Sequence, residues 1–110
     1  MTKFMLLYRG DATPPENMTE EQGAEVTRQW GSWIEKHGSG LVDIGTPFMG
    51  GRAAVGGDGK DQAAANLNGY TIVEADSLEA AKGFCDGHPF LNGVGADFAI
   101  DVYELTPIEM

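Results

Sequence analysis

The stretch from Asn68 to Phe90 constrains the fold most, because it contains a strand, a helix and a turn in direct succession. Between Gly69 and Ala75, β-branched and aromatic residues predominate and alternate, which predicts a strand with at least one buried face. A helix follows, with Asp76 predicted as its N-cap and Glu79 reaching back to complete a capping box. A strand that leads directly into a helix is a building unit of α/β and α+β folds.

The first candidate catalytic residue lies just after the end of this helix. Gly87 is predicted to stop the helix, and Pro89 pushes His88 towards an extended conformation. The imidazole is therefore presented by a turn whose direction the backbone sets. If His88 is a general base, its pKa should lie within about two units of the unperturbed value of about 6.5. The alternative is a surface histidine that is hydrogen-bonded to a nearby carbonyl or to Asp86.

The residues before position 68 predict a strand, a helix and a second strand. Lys3 to Arg9 (KFMLLYR) is nearly continuous in hydrophobicity, as is typical of a strand inside a sheet. Thr19 begins a capping box, which marks the start of a helix. After this helix, Leu41 to Phe48 is predicted to return as a strand that is bent or marginal, because it contains Gly45 and Pro47.

The first helix carries one broad apolar stripe. The stripe consists of Val26, Trp30, Trp33, Ile34 and His37. Both indoles are expected to pack on the sheet, and one of them is expected to border a cavity between helix and sheet that takes small ligands. The last turn of the helix contains His37, which is predicted to offset the helix dipole as a cation.

Two further segments complete the chain. Met49 to Leu67 has scarcely any large apolar residue and is predicted to be a long loop. Within it, Arg52 to Val55 and Ala63 to Leu67 flank a Gly-Asp-Gly sequence and could pair as a short hairpin. Phe98 to Leu105 alternates with a period of two and is predicted to be the last strand.

This order of elements predicts one α+β domain over residues 1–110. It has the ferredoxin-like split βαββαβ arrangement, in which a four-stranded antiparallel sheet carries two helices on one face. The first strand is apolar on both sides, so the helix-free face of the sheet also needs a cover. A second copy of the chain, packed sheet to sheet about a twofold axis, would provide it. The expected assembly is a homodimeric α+β barrel.

The composition excludes several classes of partner. With 17 acidic and 7 basic residues, the formal charge is −10, which argues against nucleic acid and anionic membranes as partners. The apolar run near the N-terminus is too short to span a bilayer, and we expect a cytoplasmic protein. The single cysteine, Cys85, is predicted to be a core residue. The scattered glycines and the distant histidines predict neither a cofactor nor a metal site.

Several motifs, taken in their order, resemble a known family. MLLYRGD, a W-x-x-W helix, GYTIVEADSLEAAKGF and HPF are similar to the YCII-related domain family, including its DGPF-type relatives. The resemblance covers nearly the whole chain, and Met49 to Asn66 is its weakest part. It implies a dimeric α+β barrel. It also implies an enzymatic role that rests on a histidine of the first helix and on an aspartate before the proline of the HPF-like turn.

The two family residues are replaced in this sequence. The helix histidine falls near Gln29 or Trp30, and the aspartate falls on His88. Gln29 can donate and accept hydrogen bonds but cannot titrate, whereas His88 can act as an acid or a base near neutral pH. The resemblance therefore places one titratable group where the family has two.

Two functions of different classes follow from these residues. In the first, the protein is a cofactor-independent enzyme in which His88 and Gln29 act as the catalytic pair on a small organic substrate. The residues predicted to bind this substrate are Tyr8, Arg9, Trp30, Trp33 and Phe90. In the alternative, the protein is a catalytically silent ligand-binding or accessory domain that has lost the dyad. A His88 that is blocked from solvent favours this alternative.

Overall fold

The structure, a computed structural model, describes residues 1–10, 19–48, 50–86, 88–89 and 99–107. In chain order its elements are β1 (Thr2–Arg9), α1 (Glu20–His37), β2 (Leu41–Asp43), β3 (Ala54–Val55), β4 (Asp61–Gln62), β5 (Leu67–Ala75), α2 (Leu78–Lys82) and β6 (Ala99–Leu105). Short 3-10 turns follow α1 at Gly38–Gly40 and α2 at Gly83–Cys85.

The main sheet has four strands in the order β2-β5-β1-β6. Each neighbouring pair in it is antiparallel, and β1 lies between β5 and β6. Residues 3 to 9 are therefore part of a central strand, as their continuous hydrophobicity predicts. Together with the two helices, this is the ferredoxin-like α+β arrangement that the order of elements predicts.

The core lies between the sheet and both helices. Alternate residues of β1 are fully or almost fully buried, because successive side chains of a strand point to opposite faces. The buried apolar side chains are Phe4, Leu6, Tyr8, Val73 and Ala75 from the sheet, Trp33 from α1 and Ala81 from α2. Since both helices contribute to one cluster, they cover the same face of the sheet.

The opposite face of the sheet is largely apolar. Met5 on β1 pairs with Ile72 on β5 and with Tyr103 on β6, so these three side chains form one cross-strand row. Tyr103 remains 56% exposed. Within the described ranges, no helix has the length and apolar character needed to cross a membrane.

The N-terminal caps of the helices differ in how well the sequence predicts them. The capping box of α1 is confirmed, because the Thr19 hydroxyl accepts from the Gln22 amide at 3.1 Å and the Thr19 amide donates to the Gln22 side chain at 3.0 Å. The N-cap of α2 is Ser77 and not Asp76, so that prediction is wrong. Ser77 is the last extended residue before the helix, and its hydroxyl accepts from the Ala80 amide at 3.1 Å.

The segment predicted as a strand from Leu41 to Phe48 forms regular pairing only at Leu41–Asp43. The chain bends at Gly45, which has a φ of +81° and whose amide donates to the Asp43 carboxylate at 2.8 Å. After this Asx turn, Pro47 makes one isolated bridge to Gly69. The prediction of a bent, marginal strand is thus confirmed, with the glycine as the reason.

The predicted hairpin exists, but its second strand differs. The first strand is β3, and its partner is β4 rather than residues 63–67, because Ala54 pairs with Gln62 and Val55 pairs with Asp61. The turn between them closes at Gly59, which has a φ of +81°. Leu67 instead starts β5.

Candidate functional site

His88 lies in the core and not on the surface. Its exposed fraction is 0%, so the alternative of a surface histidine is wrong. The turn that follows α2 holds its backbone, because the His88 amide donates to the Cys85 carbonyl at 3.1 Å. The same turn is held against α1, since the Trp33 indole donates to the Phe84 carbonyl at 2.7 Å. These bonds place the imidazole between α1 and the sheet.

A chain of hydrogen bonds runs from His88 into the sheet. The Nε2 atom of His88 lies 3.0 Å from the hydroxyl of Tyr8 on β1. The Tyr8 hydroxyl is in turn hydrogen-bonded to the hydroxyl of Thr71 on β5. Thr71 donates to the carbonyl oxygen of Ile44 at 2.8 Å. Three side chains from distant parts of the sequence therefore form one continuous polar path through the core.

Aromatic rings surround the imidazole. The ring centroid of His88 is 4.4 Å from that of Trp33 and 4.9 Å from those of Trp30 and Tyr8. Trp33 is only 2% exposed, whereas Trp30 is half-buried at the edge of the core. The geometry therefore makes Trp33 a core residue and leaves Trp30 as the indole that a ligand from outside would meet.

Burial sets the protonation states of His88 and Tyr8, the two titratable residues of this path. It lowers the pKa of His88 to about 4, with a smaller contribution from the nearby His37. This value lies below the range expected from the sequence for a general base. Burial also raises the pKa of Tyr8 to about 12, against the opposing effect of its bond with Thr71. At neutral pH, therefore, both His88 and Tyr8 are uncharged.

The contacts that the structure describes do not bring Gln29 together with His88, and they do not extend to Phe90. The Gln29 side chain donates to Glu25 on its own helix at 3.1 Å, whereas His88 contacts Tyr8, Trp30 and Trp33. The predicted pairing of Gln29 with His88 is therefore not seen among these contacts. Phe90 lies outside the described residues.

Arg9 and Tyr8 do not share a site in this chain, because consecutive residues of a strand point to opposite faces of the sheet. Tyr8 points towards the helices. Arg9 lies on the helix-free face, where its guanidinium bonds with Asp101 at 3.0 to 3.2 Å. The register explains this pair, since Asp101 lies opposite Leu7 and is the diagonal neighbour of Arg9 on that face.

The last turn of α1 contains His37, the residue predicted to offset the helix dipole. The His37 ring packs against Trp33 and Phe84, with centroid distances of 5.5 Å and 4.8 Å. Burial and the neighbouring Lys36 lower the pKa of His37. The lowered pKa works against His37 as a cation, and Lys36 in the same last turn also opposes the helix dipole.

Thr71 and the Ile44 carbonyl are site components that sequence reasoning missed. The signal for Thr71 was available, because it falls in phase with Val73 and Ala75 on the inward face of a strand. A polar residue at an inward position needs a hydrogen-bond partner. Nothing in the sequence indicates which carbonyl serves as that partner, since the bend at Gly45 decides it.

Two open hollows occur elsewhere in the described part of the molecule. One of about 380 Å³ lies between Met1 to Lys3 and Leu105 to Pro107. The other, of about 390 Å³, lies beside Phe48, Arg52 and Leu67. His88 and the residues around it (Tyr8, Trp30, Trp33 and Thr71, called the His88 cluster below) line neither hollow. The hollows and the polar path are therefore separate features.

Comparison of the sequence with protein-family models finds no match. Comparison with curated proteins finds no match either. Among solved structures, the chain is similar to 5-chloro-2-hydroxyhydroquinone dehydrochlorinase (TftG) from Burkholderia phenoliruptrix AC1100, in complex with 2,5-dihydroxybenzoquinone. The TM-score is 0.53 at 18% identity, over 94% of this chain and 93% of that chain. At this identity the likeness shows a shared fold.

Proposed function

We propose that this protein is a cofactor-independent enzyme that transfers a proton to or from a small, flat organic molecule beside Trp30, with His88 as the base. The observation that carries the proposal is the buried path from His88 through Tyr8 to Thr71. A buried polar network is costly unless each of its members is hydrogen-bonded, and replacing the partners together by apolar groups of the same shape can be neutral or even stabilising. A fixed imidazole inside an aromatic cluster is suited to proton transfer in a water-poor site.

The substrate class follows from the chemistry of the cluster. Trp30 and the neutral imidazole offer aromatic surface and a proton acceptor, and none of the described residues around the imidazole (Tyr8, Trp30, Trp33 and Thr71) carries a positive charge that would hold a phosphate or a carboxylate. Hydroxylated quinones and their reduced forms fit this description, because they are flat and enolise readily. The similar fold of a protein that binds 2,5-dihydroxybenzoquinone supports the same class. The order of motifs and this fold also support a relationship to the YCII-related family.

A second function, the catalytically silent domain, is favoured by the burial of His88, which is the condition given above for that alternative. His88 is fully buried and has a pKa of about 4, so it is a weak base until a ligand reaches it. A catalytically silent domain that binds small molecules through Trp30 would need no more than this. The two functions differ in one measurable property, which is whether the bound molecule exchanges a carbon-bound proton.

The partner that we propose is a second copy of the chain, packed on the helix-free face of the sheet. The apolar row of Met5, Ile72 and Tyr103 supports this assembly, because a monomer would leave the row in contact with water.

The experiment measures hydrogen–deuterium exchange into hydroxyhydroquinone in D₂O under argon. In the proposed step a ring C–H bond of the keto tautomer breaks, its electron pair stays on the ring as the enolate, and the proton moves to His88. Solvent then replaces that proton with a deuteron. We expect the wild type to accelerate exchange above buffer, and His88→Gln to reduce the acceleration by about 100-fold.

Two controls separate the functions. His37→Gln changes the other histidine of the region and should retain the exchange rate. Binding is followed by quenching of tryptophan fluorescence with 2,5-dihydroxybenzoquinone, which should persist in Trp33→Phe and disappear in Trp30→Phe. Binding without exchange would support the silent domain, and the absence of binding would reject this class of ligand.

A further inference from the structure

His88 is fully enclosed in this structure. Its exposed fraction is 0%, so no space as large as a water molecule adjoins the ring. The rings of Trp30, Trp33 and Tyr8 lie at centroid distances of 4.4 to 4.9 Å from it. A molecule that contacts the imidazole must therefore take space that a side chain fills, and part of the core has to move first.

Of these three rings, Trp30 is the one whose displacement costs least. It is half-buried, whereas Trp33 and Tyr8 are 2% and 5% exposed. Tyr8 belongs to the central strand β1 and is bonded to Thr71, and Trp33 donates to the Phe84 carbonyl. The contacts described for Trp30 are ring contacts, which can break without leaving a buried polar group unsatisfied.

The two parts of α1 are held differently. After position 32, side chains tie the helix to the turn that follows α2, because Trp33 donates to the Phe84 carbonyl and Lys36 forms an ion pair with Asp86 at 3.4 Å. Before position 31, the side-chain bonds described for α1 stay within the helix and its cap. Within Glu20–His37, which the structure describes in full, Trp33 alone is buried. Residues 20–30 are therefore the less stable part of the helix.

A glycine and a serine separate these two parts. Gly31 lies in the interior of α1, where glycine costs helix stability relative to alanine. Neither its backbone nor its surroundings require a glycine, because its φ is not positive and a Cβ would meet nothing within 4 Å. Ser32 follows directly, and Gly-Ser pairs are among the few places where helices bend sharply. The sequence thus favours a bend directly beside Trp30.

We propose that residues 20–30 form a lid, which swings about Gly31 and Ser32 and carries Trp30 away from His88 to admit the substrate. The need for a substrate rests on the proposed function, whereas the motion itself is a property of the free protein. The closed form keeps water away from the imidazole. In the open form the substrate lies between Trp30 and the imidazole. Only the open form binds, so the apparent affinity depends on the fraction of protein that is open.

The first test follows the lid without ligand, by ¹⁹F relaxation dispersion of protein labelled with 5-fluorotryptophan. We expect Trp30 to show exchange on the microsecond to millisecond timescale and Trp33 to show none. Gly31→Ala should reduce the open population about fivefold, the ratio that the helix propensities of the two residues give. Gly23→Ala is the matched control and should leave the exchange unchanged. Gly23 also lies in α1 with open space for a Cβ, but about two turns from the bend.

The second test measures the association of 2,5-dihydroxybenzoquinone by stopped-flow quenching of tryptophan fluorescence. Gly31→Ala should lower the association rate constant about fivefold and leave the dissociation rate constant unchanged, because the bound protein is already open. Gly23→Ala should change neither rate constant. Ser32→Gly weakens the helix at the bend and should raise the association rate constant.

The outcomes separate the lid from the proposed function. The absence of exchange at Trp30, or equal effects of Gly31→Ala and Gly23→Ala, would overturn the lid. Exchange at Trp30 that Gly31→Ala suppresses, in a protein that binds no quinone, would leave the lid standing and reject the proposed class of substrate.

Discussion

The burial of His88 makes the stability of the protein depend on pH. Its pKa is about 4 in the folded protein and 6.5 in an exposed chain. Between these values the unfolded state binds the proton and the folded state does not, so the free energy of unfolding falls as the pH falls. Over the whole interval the loss is about 3 kcal/mol. His37, whose pKa is also lowered, adds a loss in the same direction.

We therefore predict that His88→Gln flattens this dependence. Glutamine does not titrate, and its amide can still donate to Tyr8, so the variant should lose much less stability than the wild type between pH 7 and pH 4. The measurement is urea unfolding at several pH values within that range. His37→Gln is the matched control and should keep the larger share of the wild-type loss. Parallel pH profiles for the wild type and His88→Gln would show that His88 is exposed or already charged.

At the scale of the elements, the turn after β2 determines which backbone carbonyl accepts the last hydrogen bond of the path from His88. Gly45 has a φ of +81°, which side chains rarely adopt, and a Cβ there would collide with the carbonyl of Tyr70 on the adjacent strand. This close approach brings the carbonyl of the preceding residue, Ile44, within 2.8 Å of Thr71. A glycine is thus required for the last acceptor of the polar path.

We predict that Gly45→Ala destabilises the protein by about 3 kcal/mol, because it combines backbone strain with a clash against the sheet. Gly59→Ala is the matched control. Gly59 has the same φ of +81° but open space around it, so its substitution should cost only about 1 kcal/mol of backbone strain. Denaturant unfolding at pH 7 measures both. Equal losses in the two variants would show that the approach to Tyr70 contributes nothing.

At the scale of the whole molecule, the two faces of the sheet differ in whether helices of the same chain cover them. One face is covered by α1 and α2 and contains the His88 cluster. The other presents Met5, Ile72 and Tyr103 in a row, beside the ion pair of Arg9 with Asp101. An apolar sheet face rimmed by charged groups is typical of a surface that packs against a protein partner.

We predict that the chain is a homodimer through this face. Sedimentation equilibrium at micromolar concentration should return twice the chain mass of 11.7 kDa. Tyr103→Asp should yield a folded monomer, because a charge in the middle of an apolar interface is costly to bury. Leu78→Asp is the control, since Leu78 is similarly exposed at 49% but lies on α2, away from this face. A monomeric wild type, or equal effects of both substitutions, would reject the barrel assembly.

The elements were largely predictable from local chemistry. The continuous hydrophobicity of β1 and the capping box at Thr19 each act within a few residues, so the sequence contains the whole cause. The N-cap of α2 was missed by one position, because Asp76 and Ser77 are both good caps and only the backbone geometry selects between them. The sequence also singles out His88 as a candidate site residue, from the turn that Pro89 imposes.

What the sequence determined by itself was the order of the elements and the phase of each strand, because both depend on spacing along the chain. That phase already separates Tyr8 from Arg9. The tertiary structure alone decided that the imidazole of His88 meets the hydroxyl of Tyr8, 80 residues away in the chain. It also selected Ile44 as the terminal acceptor. Such contacts depend on strand register and on a turn at one glycine, and hydrogen bonds between groups so far apart leave no period or spacing in a sequence.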